Sequence, residues 1–322
     1  MKNGIKSKEF IKKISTFLML VFVFLFFTFA TENFFAAKNM INILRQVSIL
    51  GILTAGMTFV IISGGMDLSV GSQLGLTGVL CAMFLSQFQM GNVPSVILAV
   101  GIAACFGLLT GLLIVSLNVS AIVITLGMQT VVRGFAYIFS GGIPIYDIPE
   151  PLVFLGQGYV GQIPVPVIIM LIIVLIMGFI LHKTYFGRYV YAIGGNIEAA
   201  RLAGVQVNKI LVSLYAISGF LSGIAGVILM GRVSSGAPAS GTGTEMEVIT
   251  AVIIGGVSIN GGKGGMAGAF FGALIIGMLS NGLTIMNVGQ YYQNVITGIV
   301  LILAVAFDTL LGREKVKKVR NG

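Results

Sequence analysis

Residues 68–132, LSVGSQLGLTGVLCAMFLSQFQMGNVPSVILAVGIAACFGLLTGLLIVSLNVSAIVITLGMQTVV, run for 65 positions without one Asp, Glu, Lys or Arg. A soluble domain is about one quarter charged, so no water-facing surface can be drawn through this interval. Its runs are apolar on every side and do not alternate, which reads as helix and not as the strands of an outer-membrane barrel. A bilayer core of roughly 30 Å takes about 20 helical residues, so the interval alone holds two or three spans. The rest of the chain agrees. Of 322 residues, 57% are apolar and 9% charged, and the mean hydropathy is +1.04. One soluble core of that composition would expose large apolar patches. The expectation is an all-α polytopic membrane protein.

Working outward, ten spans are expected, at 14–30, 47–62, 68–86, 94–117, 121–140, 164–181, 210–231, 248–260, 266–286 and 291–311. The first reads either as a secretory signal, since Thr28-Phe29-Ala30 resembles a cleavage site, or as an uncleaved anchor, the reading that nine following spans favour. Lys2, Lys6, Lys8, Lys12 and Lys13 precede it; Lys183, Arg188, Arg201 and Lys209 follow the sixth span, and Arg313, Lys315, Lys317, Lys318 and Arg320 the tenth. These are 14 of the 19 basic residues. An even span count puts all of them on one face, so the positive-inside rule makes both termini and the 183–209 loop cytoplasmic. The net charge of +9 therefore reads as topology determinants beside an anionic membrane face, and not as nucleic-acid binding.

Two loops fall on the opposite side, 141–163, rich in Gly and Pro, and 232–247, containing SSGAPASGTGTE. Each reads equally as a flexible connector or as a docking surface for an extracytoplasmic partner. An internal parallel repeat also emerges between VIISGGMDLSVGSQLGLTG (60–78) and VIIGGVSINGGKGGMAG (252–268). Pairing Gly64-Gly65 with Gly255-Gly256 superposes Gly71 on Gly262, and both segments read as Gly-broken helices, a device of transporters. In the first break Asp67 or Ser69 can cap the helix that restarts; Lys263 sits in the second.

Catalytic chemistry finds little to stand on. GGVSINGGKGG (255–265) departs from a phosphate-binding loop, with Val257 at the first glycine position and Gly264 at the hydroxyl position. ATP, if used, is bound by another polypeptide. His182 is the one histidine and reads as an interfacial anchor, while Cys81 and Cys105 read as small buried apolar side chains. No metal-ligand spacing and no nucleophile–base pairing occur. Between Arg45 and Asp147 the only charges are Asp67 and Arg133, and Lys263 and Asp308 bound a later uncharged interval. A charge at bilayer depth pairs or faces water. Asp67 thus pairs with Arg133, or either of them with Lys263 or Asp308, or else Asp67 and Lys263 lie at the interface. Polar groups that can line a pathway are Gln129, Arg133, Asn281, Tyr291, Gln293 and Asn294, which serve equally to cement helix packing. In the 183–209 loop, Asn196 can N-cap a short helix, Glu198 suits its first turn and Gly204 can stop it.

That loop carries a family likeness. Glu198-Ala199-Ala200 with Gly204 resembles the E-A-A-x-x-x-G core through which permeases of ABC importers contact their ATPases, although the further Leu-Pro is missing. GMTFVIISGGMDLSVGS, GRYVYAIGGNIEAARLAGVQVNKI, SGTGTEMEVITAVIIGGVSINGGKG and NGLTIMNVGQYYQNVITGIVLILAV together look like the permeases of ribose-type ABC sugar importers, a likeness covering 33–308. The resemblance implies one transmembrane permease domain over 1–322 in a bacterial inner membrane. It implies a second permease chain, an ABC ATPase binding ATP and magnesium, and an extracytoplasmic sugar-binding protein as partners. The helix with Glu198, Ala199, Ala200, Arg201 and Gly204 would couple to the ATPase. Transport of a monosaccharide, ribose first and then xylose, a galactoside or another sugar, would follow, with no cofactor in this chain. The rivals are an ion-coupled secondary transporter using Asp67 and a membrane-embedded enzyme.

Overall fold

The computed structural model describes residues 2–320, with side chains described for residues 16–306 and for Thr309. The side chains of the N-terminal lysines, of Asp308 and of the C-terminal basic cluster, all used above, lie outside the described residues. The elements run α1 (Lys2–Ala30), α2 (Ala37–Ile62), α3 (Val70–Ser86), α4 (Asn92–Leu117), α5 (Ala121–Ser140), α6 (Glu150–Gln157), β1 (Tyr159–Val160), β2 (Ile163–Pro164) and α7 (Val165–Lys183). They continue as α8 (Tyr185–Gly195), α9 (Ile197–Leu202), α10 (Val207–Val233), α11 (Thr244–Ile254), α12 (Met266–Ile285) and α13 (Gln290–Arg320). The two strands form a small antiparallel hairpin, Tyr159 opposite Pro164.

Among the described residues, six helices, α2, α4, α5, α7, α10 and α12, are long and apolar enough to cross a membrane, and α3 is shorter. The span expected at 248–260 is instead α11, 11 residues long, which at 1.5 Å per residue reaches about 16 Å and cannot cross a bilayer alone. The apolar run had hidden the stop. At the C-terminus of α11, Gly256 N–H donates to Ile253 C=O (2.9 Å) and Val257 N–H to Val252 C=O (3.2 Å). That is a Schellman cap, and it needs the left-handed Gly256, φ +83°.

The C-terminus of α2 ends the same way. Gly64, φ +89°, donates to Ile61 C=O, and Gly65 donates to Val60 C=O, both at 3.0 Å. The two breaks share a cap, but its register pairs Gly64 with Gly256, one residue away from the pairing read from sequence. The spacing to the next helix also differs, since α3 starts at Val70 and α12 at Met266.

Helix α2 is the axis of the bundle, with 89% of its apolar window buried. Helix α10 packs along it and along α3 and α4. Glycines let the backbones of α4 and α10 meet. A Cβ at Gly107 would strike the Tyr215 carbonyl and the Gly219 Cα, and one at Gly111 would strike Val212. Small residues at such crossings are how helices associate when lipid supplies no hydrophobic drive. Outward, α4 shows Ile97, Leu108 and Leu112, and α7 shows Ile172, Leu175 and Phe179, as a lipid-facing surface requires. Cys81 is buried, but Cys105 lies on the exposed side of α4, a correction to the buried pair expected from sequence. Gly107→Leu should lower stability by about 3 kcal/mol, because backbone cannot move aside for the added volume. Gly101→Leu, on the same helix with nothing within 4 Å of its Cβ, should be neutral. Thermal denaturation of the detergent-solubilised chain compares them.

The loops 141–163 and 232–247 are knit together. Ile145 and Gly236 exchange backbone hydrogen bonds of 3.0 and 2.8 Å. Gln157 Nε2 donates to the Arg232 carbonyl (3.0 Å) and to Ser234 Oγ (3.1 Å). Arg45 donates to the Gln157 carbonyl and lies over the Tyr159 ring at 4.6 Å. Of the two readings left open for these loops, a free connector does not fit this bonding.

Candidate functional site

Asp67, in the turn between α2 and α3, is fully buried. Its Oδ1 accepts from Ser69 N–H (3.0 Å) and Ser69 Oγ (2.6 Å), and its Oδ2 accepts from Ser218 Oγ on α10 (2.7 Å). Ser69 Oγ in turn accepts from Gln73 Nε2 at 2.7 Å. The carboxylate thus closes a turn onto Ser69, the residue that precedes α3, and is also a cross-link to α10. Between the two readings given for Ser69 and Asp67, the backbone N–H goes to the aspartate; Ser69 makes no side-chain cap. Asp67 is buried within the protein, whereas Lys263 on the other break is exposed. Ser218 was missed: it lies 151 positions away and gives no local signal.

Arg133 does not pair with Asp67. Its Nη1 donates to the Pro238 carbonyl (2.5 Å) and the Ser240 carbonyl (2.7 Å), and the charge acting on it is that of Glu245. Glu245, 5% exposed, accepts from Gln129 Nε2 at 2.8 Å through Oε1. Gln129 and Arg133 are therefore brought together, around a residue that the sequence reading passed over inside SGTGTE. Gly71 and Gly75 make room for this: a Cβ at Gly71 would meet Gly241 and Glu245, and one at Gly75 would meet Ser240 and Arg133. Glu245 Oε2 is buried there without a hydrogen-bond partner, and so are Ser72 Oγ and Gln73 Oε1 on α3, the latter against Gly219 of α10.

The remaining pathway candidates divide. Asn281 exchanges two hydrogen bonds with Asn39 (2.9 and 3.1 Å), tying α12 to the start of α2. Gln293 is buried and donates to Val288 C=O (2.8 Å) and Thr284 Oγ1 (3.1 Å). Both serve packing here. Tyr291 is exposed, as is Asn294, which accepts from Gln290 at 3.2 Å. Lys263 is exposed on the second break and partners neither Asp67 nor Arg133.

The short helix read in the 183–209 loop is α9. Asn196 Oδ1 accepts from Ala199 N–H (3.0 Å), as a cap should, and Gly204 follows its end at φ +83°. Glu198 and Arg201 pair at 2.9 Å on the exposed side. Ala199 faces out, but Ala200 is buried with Ile193 and Val207, so it holds the loop to itself. Leu202 is 89% exposed, an apolar contact that the sequence reading did not single out. The loop reaches both helix breaks. Gly262 N–H donates to Ile62 C=O (2.8 Å), and Gly194 of α8 lies against that pair so closely that a Cβ would strike both atoms. Tyr191 Oη donates to the Gly264 carbonyl at 2.8 Å. Among the described residues no group of three or more His, Cys, Asp or Glu gathers where a metal could be held.

Comparison with known proteins bears on this arrangement. Residues 39–305 match the family model for the permease component of the branched-chain amino acid transport system. The ribose import permease protein of Haemophilus influenzae is 40% identical over 312 residues, 95% of this chain and 96% of that protein. The fructose import permease protein of Rhizobium meliloti is 38% identical over 284 residues, 86% and 79% of the two chains. The L-arabinose ABC transporter permease protein of Azospirillum brasilense is 36% identical over 297 residues, 90% and 86% of the two chains. No solved structure matches.

Proposed function

This chain belongs to the permease family of the branched-chain amino acid transport system, and from that premise we propose that it is the membrane-spanning subunit of a binding-protein-dependent ABC sugar importer. It passes a monosaccharide, ribose before fructose or arabinose, by alternating access, while a separate subunit hydrolyses ATP. The observation that carries this reading is identity of about two residues in five to a ribose import permease along nearly the whole of both chains. In this arrangement the 183–209 loop faces the cytoplasm with both termini, and a second permease chain completes the pathway. The 141–163 and 232–247 loops receive the sugar-binding protein, a role suited to a bonded platform. Ten traverses, two of them made by the short α3 and by α11 together with the turn that follows it, and the paired breaks as an inherited repeat, belong to the same reading.

Ion coupling through Asp67 gains no support, since both carboxylate oxygens already accept hydrogen bonds from serines. The decisive experiment uses vesicles holding the assembled importer. Ribose uptake should require ATP and binding protein and persist when ion gradients are dissipated. Uptake that follows the gradients and ignores ATP would sink the proposal.

In this reading α9 is the face that the ATPase grips. Leu202→Asp should cut uptake at least tenfold, because a charge would have to be desolvated in an apolar contact, yet leave the stability of the isolated chain unchanged. Co-purification with the ATPase and the thermal midpoint of the chain alone give the two readouts. Retained co-purification would remove α9 from the interface.

A further inference from the structure

A cavity of about 150 Å³ opens between α2, α3, α10, α11 and α12, apart from the residues placed above on the pathway. Cavities of roughly this size take one six-membered ring. Its polar lining is Gln46, Arg232, Thr244, Glu247 and Ser280. All five are half-buried. Leu74, Leu229 and Ile276 form its apolar side.

Resting on the reading of the chain as a sugar permease, we propose that this cavity is a monosaccharide subsite on the transport path within a single permease chain. The lining decides the chemical class. One guanidinium and one carboxylate leave it without net charge, which disfavours an ion and suits an uncharged polyol. A sugar hydroxyl both donates and accepts. Arg232 offers donors only, Glu247 acceptors only, and Gln46, Thr244 and Ser280 both. The arrangement is held in place: Gln46 Nε2 donates to Ser280 Oγ (3.3 Å), which donates to Gln293 Oε1 (3.4 Å). That bonding gives the buried Gln293 a function, to orient Ser280. The aliphatic side chains opposite suit the C–H faces of a ring.

The test measures radiolabelled D-ribose uptake and ATP hydrolysis together in vesicles holding the full importer, for wild type and for Ser280→Leu, Glu247→Gln and Thr244→Val. Ser280→Leu fills the cavity, and Glu247→Gln removes the acceptor charge. Both should lower sugar moved per ATP hydrolysed at least tenfold, since a blocked subsite lets hydrolysis run without cargo, whereas a purely structural defect lowers both rates together. Thr244→Val keeps the volume and removes one hydroxyl, and should lower the ratio about threefold. It decides the matter if the other two fail to assemble. Wild-type stoichiometry in every variant that assembles, or a fall in both rates with an unchanged ratio, would overturn the subsite while leaving the importer reading intact. Absence of ATP-driven ribose, fructose or arabinose uptake by wild type would overturn the importer reading, and the subsite with it.

Discussion

Asp67→Leu should keep the chain from accumulating in the membrane, or leave it destabilised by about 5 kcal/mol. Leucine is close in size, so the loss is not one of volume. Three donors, Ser69 N–H, Ser69 Oγ and Ser218 Oγ, would stay buried with their acceptor gone. Each unpaired buried donor costs about 1–3 kcal/mol, and bonds to a charged group lie at the upper end. Asp67→Asn keeps one acceptor oxygen, and the serine hydroxyls can rotate toward it, so about 2 kcal/mol is expected there. Ser218→Ala, which cuts only the link to α10, should fall near Asp67→Asn. Membrane yield and thermal midpoint in detergent order the three. A titrating carboxylate would behave otherwise: Asn would be as damaging as Leu, and to transport rather than stability. Equal yield and melting of wild type and Asp67→Leu would remove the role of these bonds in holding the fold.

The sequence made the helical breaks legible because their signals are local. Glycine pairs stop a helix, an aspartate two residues before Ser69 closes the turn into the next, and Asn196 caps α9. What stayed hidden depends on which helices become neighbours. Nothing near Asp67 names Ser218, and nothing near Arg133 names Glu245 or the carbonyls of Pro238 and Ser240. The length of α11 was misread because hydropathy continues past Ile254 while the backbone turns at Gly256. Ala199 and Ala200 read alike, and only the packing of Ile193 and Val207 decides that Ala200 points inward. Asn39 and Asn281 show the same limit: an amide in an apolar run signals a partner without saying which. The family likeness supplied function where the residues alone supplied architecture.

Gly194→Val should abolish uptake and also destabilise the chain by about 3 kcal/mol or more. The added carbon would enter the space between the Ile62 carbonyl and the Gly262 amide, which are hydrogen-bonded to each other at 2.8 Å. Both are backbone atoms at helix breaks, so no side chain can rotate away, and relief requires prising the two breaks apart. The consequence for transport follows from position. Gly194 stands three residues before α9, so the surface proposed to meet the ATPase is seated directly on the joint between α2 and the turn leading to α12. A displacement of α9 then reaches both breaks through one contact, and a bulky residue there severs that route. Gly194→Ala already places the offending carbon and should cut uptake at least tenfold at a smaller cost in stability. Gly195→Ala is the control, because its Cβ would have nothing within 4 Å. Uptake and thermal midpoint are measured for all three. If Gly194→Ala transports as Gly195→Ala does, the two breaks move without the loop, and coupling must run through α10.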